Sequence, residues 1–319
     1  MVAYPRPNAE ADYPRPIFAP STALPKGAGA TANAPALWFL PPYSLIHAYI
    51  LFLMFGSAAV RALVAAVLCV LLSDYAVGQN PPHRTIHVFV ALADNRYQGI
   101  VPVPARLGNG LDARHNLYWG AAAGVKTFFA RSSDWTLLIC GPHPKPEVLE
   151  RCTFKHRNSD VYLVTDAYRG DQIRLAILDF LDAAAGANPE AITVTSASGT
   201  STLMVRGGSS LVAYVGHDGL MDFQLPLIPR KKNESHRDAI ILACASKQYF
   251  SEPLRLSGAY PLLWTTGLMA PEAYTLKSAL DGWMERETNN QVRERAAIAY
   301  DKYQKCGIRA ARRLFFTGW

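Results

Sequence analysis

The chain has 319 residues, 50% of them hydrophobic and 18% charged, with five cysteines and a formal net charge of +7. That apolar content excludes a disordered chain, the charged fraction excludes a polytopic membrane protein, and so few cysteines exclude a disulfide scaffold. The mild positive charge excludes only a strongly acidic protein and names no partner.

Residues 1–44 hold nine of the 22 prolines, and Tyr4-Pro5-Arg6-Pro7 recurs as Tyr13-Pro14-Arg15-Pro16. Such a segment buries too little apolar surface to offset its ordering entropy and is expected to be disordered. An apolar zone runs from Leu45 to Gly78. Within it, Met54 is followed by Arg61, an 11-residue apolar run Ala62–Leu72, and the small-x-small site Ala76-Val77-Gly78. A cation, a short apolar core and a small-residue site make the pattern of a secretory signal peptide over 54–78. On that reading residues 1–53 are an extension from too early a start codon. The competing reading is a membrane anchor over roughly 45–72, interrupted by His47 and Arg61. Both readings export residues 79–319 to the periplasm, cell envelope or exterior. This remainder is one domain of ordinary size, with 28 basic and 22 acidic residues.

Thr85–Leu92 is a β-branched and aromatic run bounded by Pro81-Pro82 and Asp94-Asn95, and predicts a buried strand. Pro102, Pro104, Gly108 and Gly110 mark a loop, after which Leu117, Ala121, Val125 and Phe128 predict a helix over 111–130. Trp135–Cys140 and Asp160–Thr165 predict strands, and Arg169–Ala185 a helix ended by Gly186. Ser210–Val215 and Asp238–Ala243 are nearly continuous apolar runs, as central parallel strands require. Pro261–Thr266 predicts a further strand, and 271–285 and 287–305 two helices. Alternating strands and helices predict an α/β three-layer sandwich with a mostly parallel sheet.

Two predicted strands end in reactive residues: Val212-Ala-Tyr-Val-Gly-His217-Asp218-Gly219 and Ile240-Ile-Leu-Ala-Cys244-Ala-Ser246. Function in parallel sheets collects at the carboxyl ends of strands. Neighbouring strands lie about 4.8 Å apart, so adjacent ends would let an imidazole face a thiol, as a Cys/His nucleophile pair needs. Taken alone, a Cys or His closing a buried strand is ordinarily a core residue. The pair in this order is what carries the chemistry. Pro229–Arg237 fits the loop joining the two strands.

An apolar strand ending in His near a Gly, followed by an apolar strand ending in Ala-Cys, resembles the caspase-like cysteine peptidases, which include caspases, legumains, gingipains and clostripain. The first strand and the segment Gly110–Leu117 that follows its loop are similar too. The resemblance implies a caspase-like sandwich, His217 as proton donor to the leaving amine, and Cys244 as nucleophile. It also implies an oxyanion hole from the backbone N–H groups of Cys244 and of Asp218 or Gly219. Peptide or protein would be the substrate, and no cofactor, metal or nucleic acid would be needed. Two departures separate the chain from caspases proper. Asp218 stands directly after the His, and Leu-Ala-Cys-Ala-Ser, 27 residues on, replaces the Gln-Ala-Cys motif. Asp218 keeps open an inactive relative that binds rather than cleaves.

Asp222 and Glu252 are candidates for an acidic substrate pocket, and Arg96, Arg106 and Arg255 for a basic one. Solvated loop charge is the alternative for each. The remaining histidines show no metal-ligand spacing with cysteines. Arg230-Lys231-Lys232 lacks interleaved aromatics and reads as a solvated loop. The C-terminal Arg309, Arg312 and Arg313 with Phe315, Phe316 and Trp319 read as helix packing more readily than as a membrane contact. Cys140 and Cys152 bracket an 11-residue Pro-containing loop and are candidates for a disulfide in an oxidising compartment, which leaves Cys306 as the odd thiol.

Overall fold

The computed structural model describes residues 83–142, 145–196 and 199–319. The proline-rich extension and the export signal or anchor therefore lie outside the described residues. No described helix is long and apolar enough to cross a membrane.

The apolar runs become the middle of the sheet. β1 (Arg84–Ala91), β4 (Val161–Tyr168), β7 (Leu211–Val215), β8 (Asp238–Leu242) and β9 (Tyr260–Thr265) are mutually parallel where they pair. Antiparallel strands β3 (Val148–His156) and β2 (Trp135–Gly141) extend one side, and the two-residue β10 (Phe315–Phe316) closes the other. The spatial order is β10-β9-β8-β7-β1-β4-β3-β2. A separate hairpin pairs β5 (Glu190–Ser196) with β6 (Gly199–Val205).

Side chains alternate across the sheet, so each strand feeds two cores. On one face Ile86, Val88, Leu242 and Leu263 pack with α1 (Val125–Arg131), α4 (Ala273–Met284), α5 (Asn289–Gln304) and Ala311 of α6 (Ile308–Leu314). On the other, Phe89, Tyr214 and Ile241 pack with α2 (Ile173–Ala184) and α3 (Ser246–Ser257), while the β5–β6 hairpin sits over Tyr162 and Val164 of β4. The result is an α/β three-layer sandwich with a mostly parallel central sheet.

One predicted element differs. The helix expected over 111–130 starts only at Val125, and turns fill the rest. Asn116, fully buried, explains this. Its side chain accepts from the amides of Ala93 (3.0 Å) and Tyr118 (3.1 Å) and donates to the carbonyls of Ala93 (2.8 Å) and Asn109 (3.0 Å). The bond from the Tyr118 amide competes with the helix ladder, and the bonds to Ala93 tie the loop to the end of β1. At Gly124 a Cβ would stand 2.4 Å from the Trp119 carbonyl oxygen, so the turn admits no side chain.

Cys140 and Cys152 are direct cross-strand partners in β2 and β3 and form a disulfide. Cys244 and Cys306 are free. The C-terminal aromatics pack as expected: Phe315 is buried, Trp319 meets Trp264 edge-on at 5.5 Å, and Arg312 pairs with Glu294.

A buried ionic cluster joins the hairpin to the sheet. Asp166 of β4 is fully buried and accepts from Arg151 Nε (2.6 Å) and NH2 (2.8 Å) of β3 and from His87 Nε2 (3.0 Å) of β1. The other imidazole nitrogen, Nδ1, accepts from the Arg206 amide at 3.0 Å, and Arg151 NH1 reaches Glu190 at 2.6 Å. Although burial opposes ionisation of Asp166, Arg151 and His87 outweigh it and hold its carboxyl well below the ordinary range. Breaking such a cluster at one member strands the others. We expect Asp166→Asn to cost about 3–5 kcal/mol by urea unfolding, and the apolar pair Asp166→Leu with Arg151→Met to cost less than Asp166→Asn alone.

Candidate active site

The β7–β8 register places Val215 beside Leu242, and the Gly216 amide still donates to the Leu242 carbonyl at 3.2 Å. Two positions further along, His217 and Cys244 leave the carboxyl ends of neighbouring parallel strands. The sequence-predicted strands are therefore adjacent, and their reactive ends share one edge of the sheet. Gly216 makes this possible. Its φ is +155°, and a Cβ there would stand 3.0 Å from the Ala91 carbonyl oxygen and 3.1 Å from the Ala91 Cβ.

After Cys244 the chain turns sharply from β8 into α3. Ala245 takes φ +48°, ψ 31°, a left-handed conformation that costs a non-glycine residue about 1 kcal/mol and persists only where its surroundings enforce it. Here they do. The Ala245 amide donates to Gly267 at 2.8 Å. Fully buried Ser246 donates through Oγ to the Ile241 carbonyl (3.0 Å), and its amide donates to Thr265 Oγ1 (3.2 Å). Thr265, also fully buried, returns its amide to Ser246 Oγ (3.0 Å) and its hydroxyl to the Ala243 carbonyl. This hydroxyl pair fixes the cysteine at the foot of the 12-residue helix α3, whose N-terminal dipole favours a thiolate.

His217 is nearly buried, 7% exposed, and its Nε2 donates to Asp222 Oδ2 at 2.6 Å. Asp222 is held below its ordinary pKa chiefly by that bond. The same carboxylate oxygen receives the Gly99 amide at 3.4 Å, so it links the imidazole to the loop after β1. Nδ1 has no hydrogen-bond partner among the described residues. Cys244 is half-buried. Its thiol donates to the Met269 carbonyl (3.6 Å) and accepts from the Met269 amide (3.4 Å). Burial pushes the thiol pKa up, the Met269 amide opposes this, and Asp218 adds to the rise. No hydrogen bond joins His217 to Cys244, and the groups acting on the thiol do not include the imidazole.

Asp218 is fully buried. One oxygen accepts from the Leu220 amide at 3.1 Å, and the other has no partner. Burial, with Asp222 adding, pushes its pKa up to about 7 despite the Leu220 bond. Gly219 does not offer a free oxyanion donor, because its amide donates to the His217 carbonyl at 3.1 Å.

The proposed pocket charges separate. Asp222 is the partner of His217 rather than a pocket wall. Glu252 is exposed on α3 without an ion pair, and Arg96 lies over Tyr97 at 4.9 Å. Arg255 covers Trp319 at 4.2 Å, and Arg106 is exposed. Three residues around the thiol escaped sequence reasoning: Met269, Tyr118 and Tyr300. Burial raises both phenols, and Cys244 adds to each rise. Each arrives from a distant loop or helix, and no local pattern marks them. Among the described residues, the Cys140, Glu150 and Cys152 group has metal-like spacing, but its two sulfurs are bonded to each other.

No family model, curated protein or solved structure matches the chain.

Asp218 gives this edge a pH signature. A carboxyl raised in the fold contributes stability that is complete below the unfolded value near 4 and disappears as pH rises through about 7. Asp218→Asn removes that loss. Urea unfolding of the variant relative to wild type should gain about 3 kcal/mol between pH 5 and pH 8, whereas an equal offset at both values would contradict a protonated Asp218.

Proposed function

We propose that the protein is an exported cysteine peptidase of caspase-like type, with Cys244 as nucleophile and His217 as proton carrier. The observation that carries this reading is the β7–β8 register, which sets the His and Cys on adjoining strand ends. The bond to Asp222 orients the imidazole and leaves Nδ1 available, the arrangement of a nucleophile, a base and an orienting carboxylate.

In the proposed reaction the Cys244 sulfur attacks a peptide carbonyl carbon, and its proton passes to His217 Nδ1. The carbonyl π electrons move to oxygen. When they return, the C–N bond breaks, a thioester remains, and His217 gives the proton to the leaving amine. Water, deprotonated by His217, then cleaves the thioester to a carboxylic acid and restores the thiol. The chain at rest is a protonated thiol held by the Met269 backbone, so peptide entry must displace the segment after β9. The backbone amide of Cys244 and the dipole of α3 are the groups placed to meet negative charge on the carbonyl oxygen. Export is supported by the signal-like pattern over 54–78 and by the Cys140–Cys152 bond, since disulfides persist in oxidising compartments.

A second reading is favoured by a specific observation. The thiol is raised by burial and bonded to backbone rather than to the imidazole. In addition, three shallow concavities of the described residues are lined by neither His217 nor Cys244. That favours a catalytically inactive binding or scaffold module of the same fold in the cell envelope.

A diverse peptide pool and a trace alkylating agent separate the two, with exposed Cys306 as an internal ordinary thiol. The peptidase reading expects cleavage that falls at least about a thousandfold in Cys244→Ala and in His217→Ala, in line with loss of a nucleophile or its base. It also expects Asp218→Asn to shift Cys244 alkylation to lower pH, because the neighbouring carboxylate raises the thiol. An uncleaved pool, with Cys244 alkylated more slowly than Cys306 at every pH, would leave only the binding module.

A further inference from the structure

We propose that the concavity at the amino-terminal edge of the sheet binds a small phosphate-bearing molecule through Arg84 and Arg286. The concavity measures about 360 Å³, the small end of the range for small-molecule sites. It lies where β1, β8 and β9 begin and is closed by the end of α4 and the turn into α5. His217 and Cys244 stand at the opposite ends of these parallel strands, so the inference is independent of the proposed peptidase chemistry.

The acids that line the concavity are already engaged. Asp238 accepts from Trp283 Nε1 at 2.8 Å and from His236 Nε2 at 3.0 Å. Glu287 takes Arg295 through both oxygens, at 2.6 and 2.7 Å. The two arginines, by contrast, have no carboxylate or carbonyl partner among the described residues. The Arg84 guanidinium lies 3.9 Å over the Trp283 ring, which fixes its plane and leaves its N–H donors without protein acceptors. Burial lowers the Arg84 pKa, and the neighbouring Arg286 lowers it further, so two cations share one concavity and neither makes a hydrogen bond or ion pair with a carboxylate among the described residues. Asp238 opposes that fall through its charge, while its two oxygens are held by His236 and Trp283.

The backbone holds Arg286 in place at some cost. Its φ is +57°, a left-handed conformation in which glycine is at ease and arginine is strained. The Arg286 amide donates to Trp283 at 3.2 Å and the Glu287 amide to Gly282 at 3.0 Å, which locks the turn. At the rim, Asn289 begins the 16-residue helix α5, whose N-terminus is capped by Thr288 and Gln291, so the arginines alone supply the binding groups. Planar guanidinium forks match the oxygens of a phosphate in pairs, and two of them together favour a dianion over a carboxylate.

Thermal unfolding of the full chain in sodium phosphate, against sodium chloride at equal ionic strength and pH 7.5, tests the site with inorganic phosphate as the probe. We expect a saturable rise in Tm with phosphate. Arg286→Gly should unfold no lower than wild type in chloride, because glycine suits the turn, yet lose at least tenfold in phosphate affinity. Arg84→Gln should lose at least as much. A phosphate effect no larger than that of matched chloride would overturn the proposal, as would one retained in Arg286→Gly.

Discussion

One buried carboxylate holds the layers in register. Asp166 has no solvent around it; Arg151 of β3 and His87 of β1 bond its oxygens, and Glu190 of the hairpin and the Arg206 amide just after it bond Arg151 and His87 respectively. Its ionisation is tolerable only because the Arg151 fork and His87 answer both of its oxygens. In turn, His87 on the central strand is tolerable as a neutral ring only because Asp166 and the Arg206 amide take its two nitrogens. Apolar packing would tolerate small slips of the hairpin over the sheet. A set of directed bonds at 2.6–3.0 Å does not. Fixing β1 this way also fixes β7, which pairs with it from Ile86 to Val90, and so positions the strand that ends at His217.

The candidate site is built by the same logic on the far end of the sheet. Strand pairing brings two residues together cheaply, since a parallel register sets many positions at once. Aiming their side chains takes separate work, visible in the Thr265–Ser246 hydroxyl pair under the cysteine and in Asp222 behind the imidazole. The two halves are aimed but not joined. The thiol is turned to the Met269 backbone and the imidazole to Asp222, so joining the two would require the segment after β9 to give way rather than the sheet to move.

Much of the sheet was legible because a central parallel strand must be apolar on both faces. That constraint marks Thr85–Leu92, Ser210–Val215 and Asp238–Ala243 whatever surrounds them. The antiparallel β3, with Glu150, Arg151 and Lys155, carries charge into the ionic cluster and toward solvent, and loses the apolar signature. The β5–β6 hairpin is rich in Thr and Ser for its open face, and α3 carries Pro253 inside it. The false helix over 111–124 had the right spacing, but the buried Asn116 side chain took the Tyr118 amide from the helix ladder and tied the segment to Ala93 and Asn109. His217 and Cys244 were legible because they end apolar runs. Their partners were not, because Met269, Tyr118 and Tyr300 reach the thiol only through tertiary folding.

Two buried titratable groups, His87 in β1 and Asp218 just after β7, pull stability in opposite directions with pH. Burial holds His87 below its ordinary pKa despite Asp166, so acidification below about 6.5 protonates the unfolded chain first and weakens the fold. Asp218 is raised, so stability falls as pH rises through about 7. One group belongs to the frame and the other adjoins the candidate nucleophile. A frame can be made satisfied at neutral pH by adding partners, and Asp166 did so. The carboxyl beside Cys244 has one oxygen with no partner among the described residues, in contrast to Asp166, whose two oxygens are both bonded. The charged form of Asp218 is a cost that sets in as pH rises through about 7, and it falls at the edge of the sheet that carries Cys244 and His217.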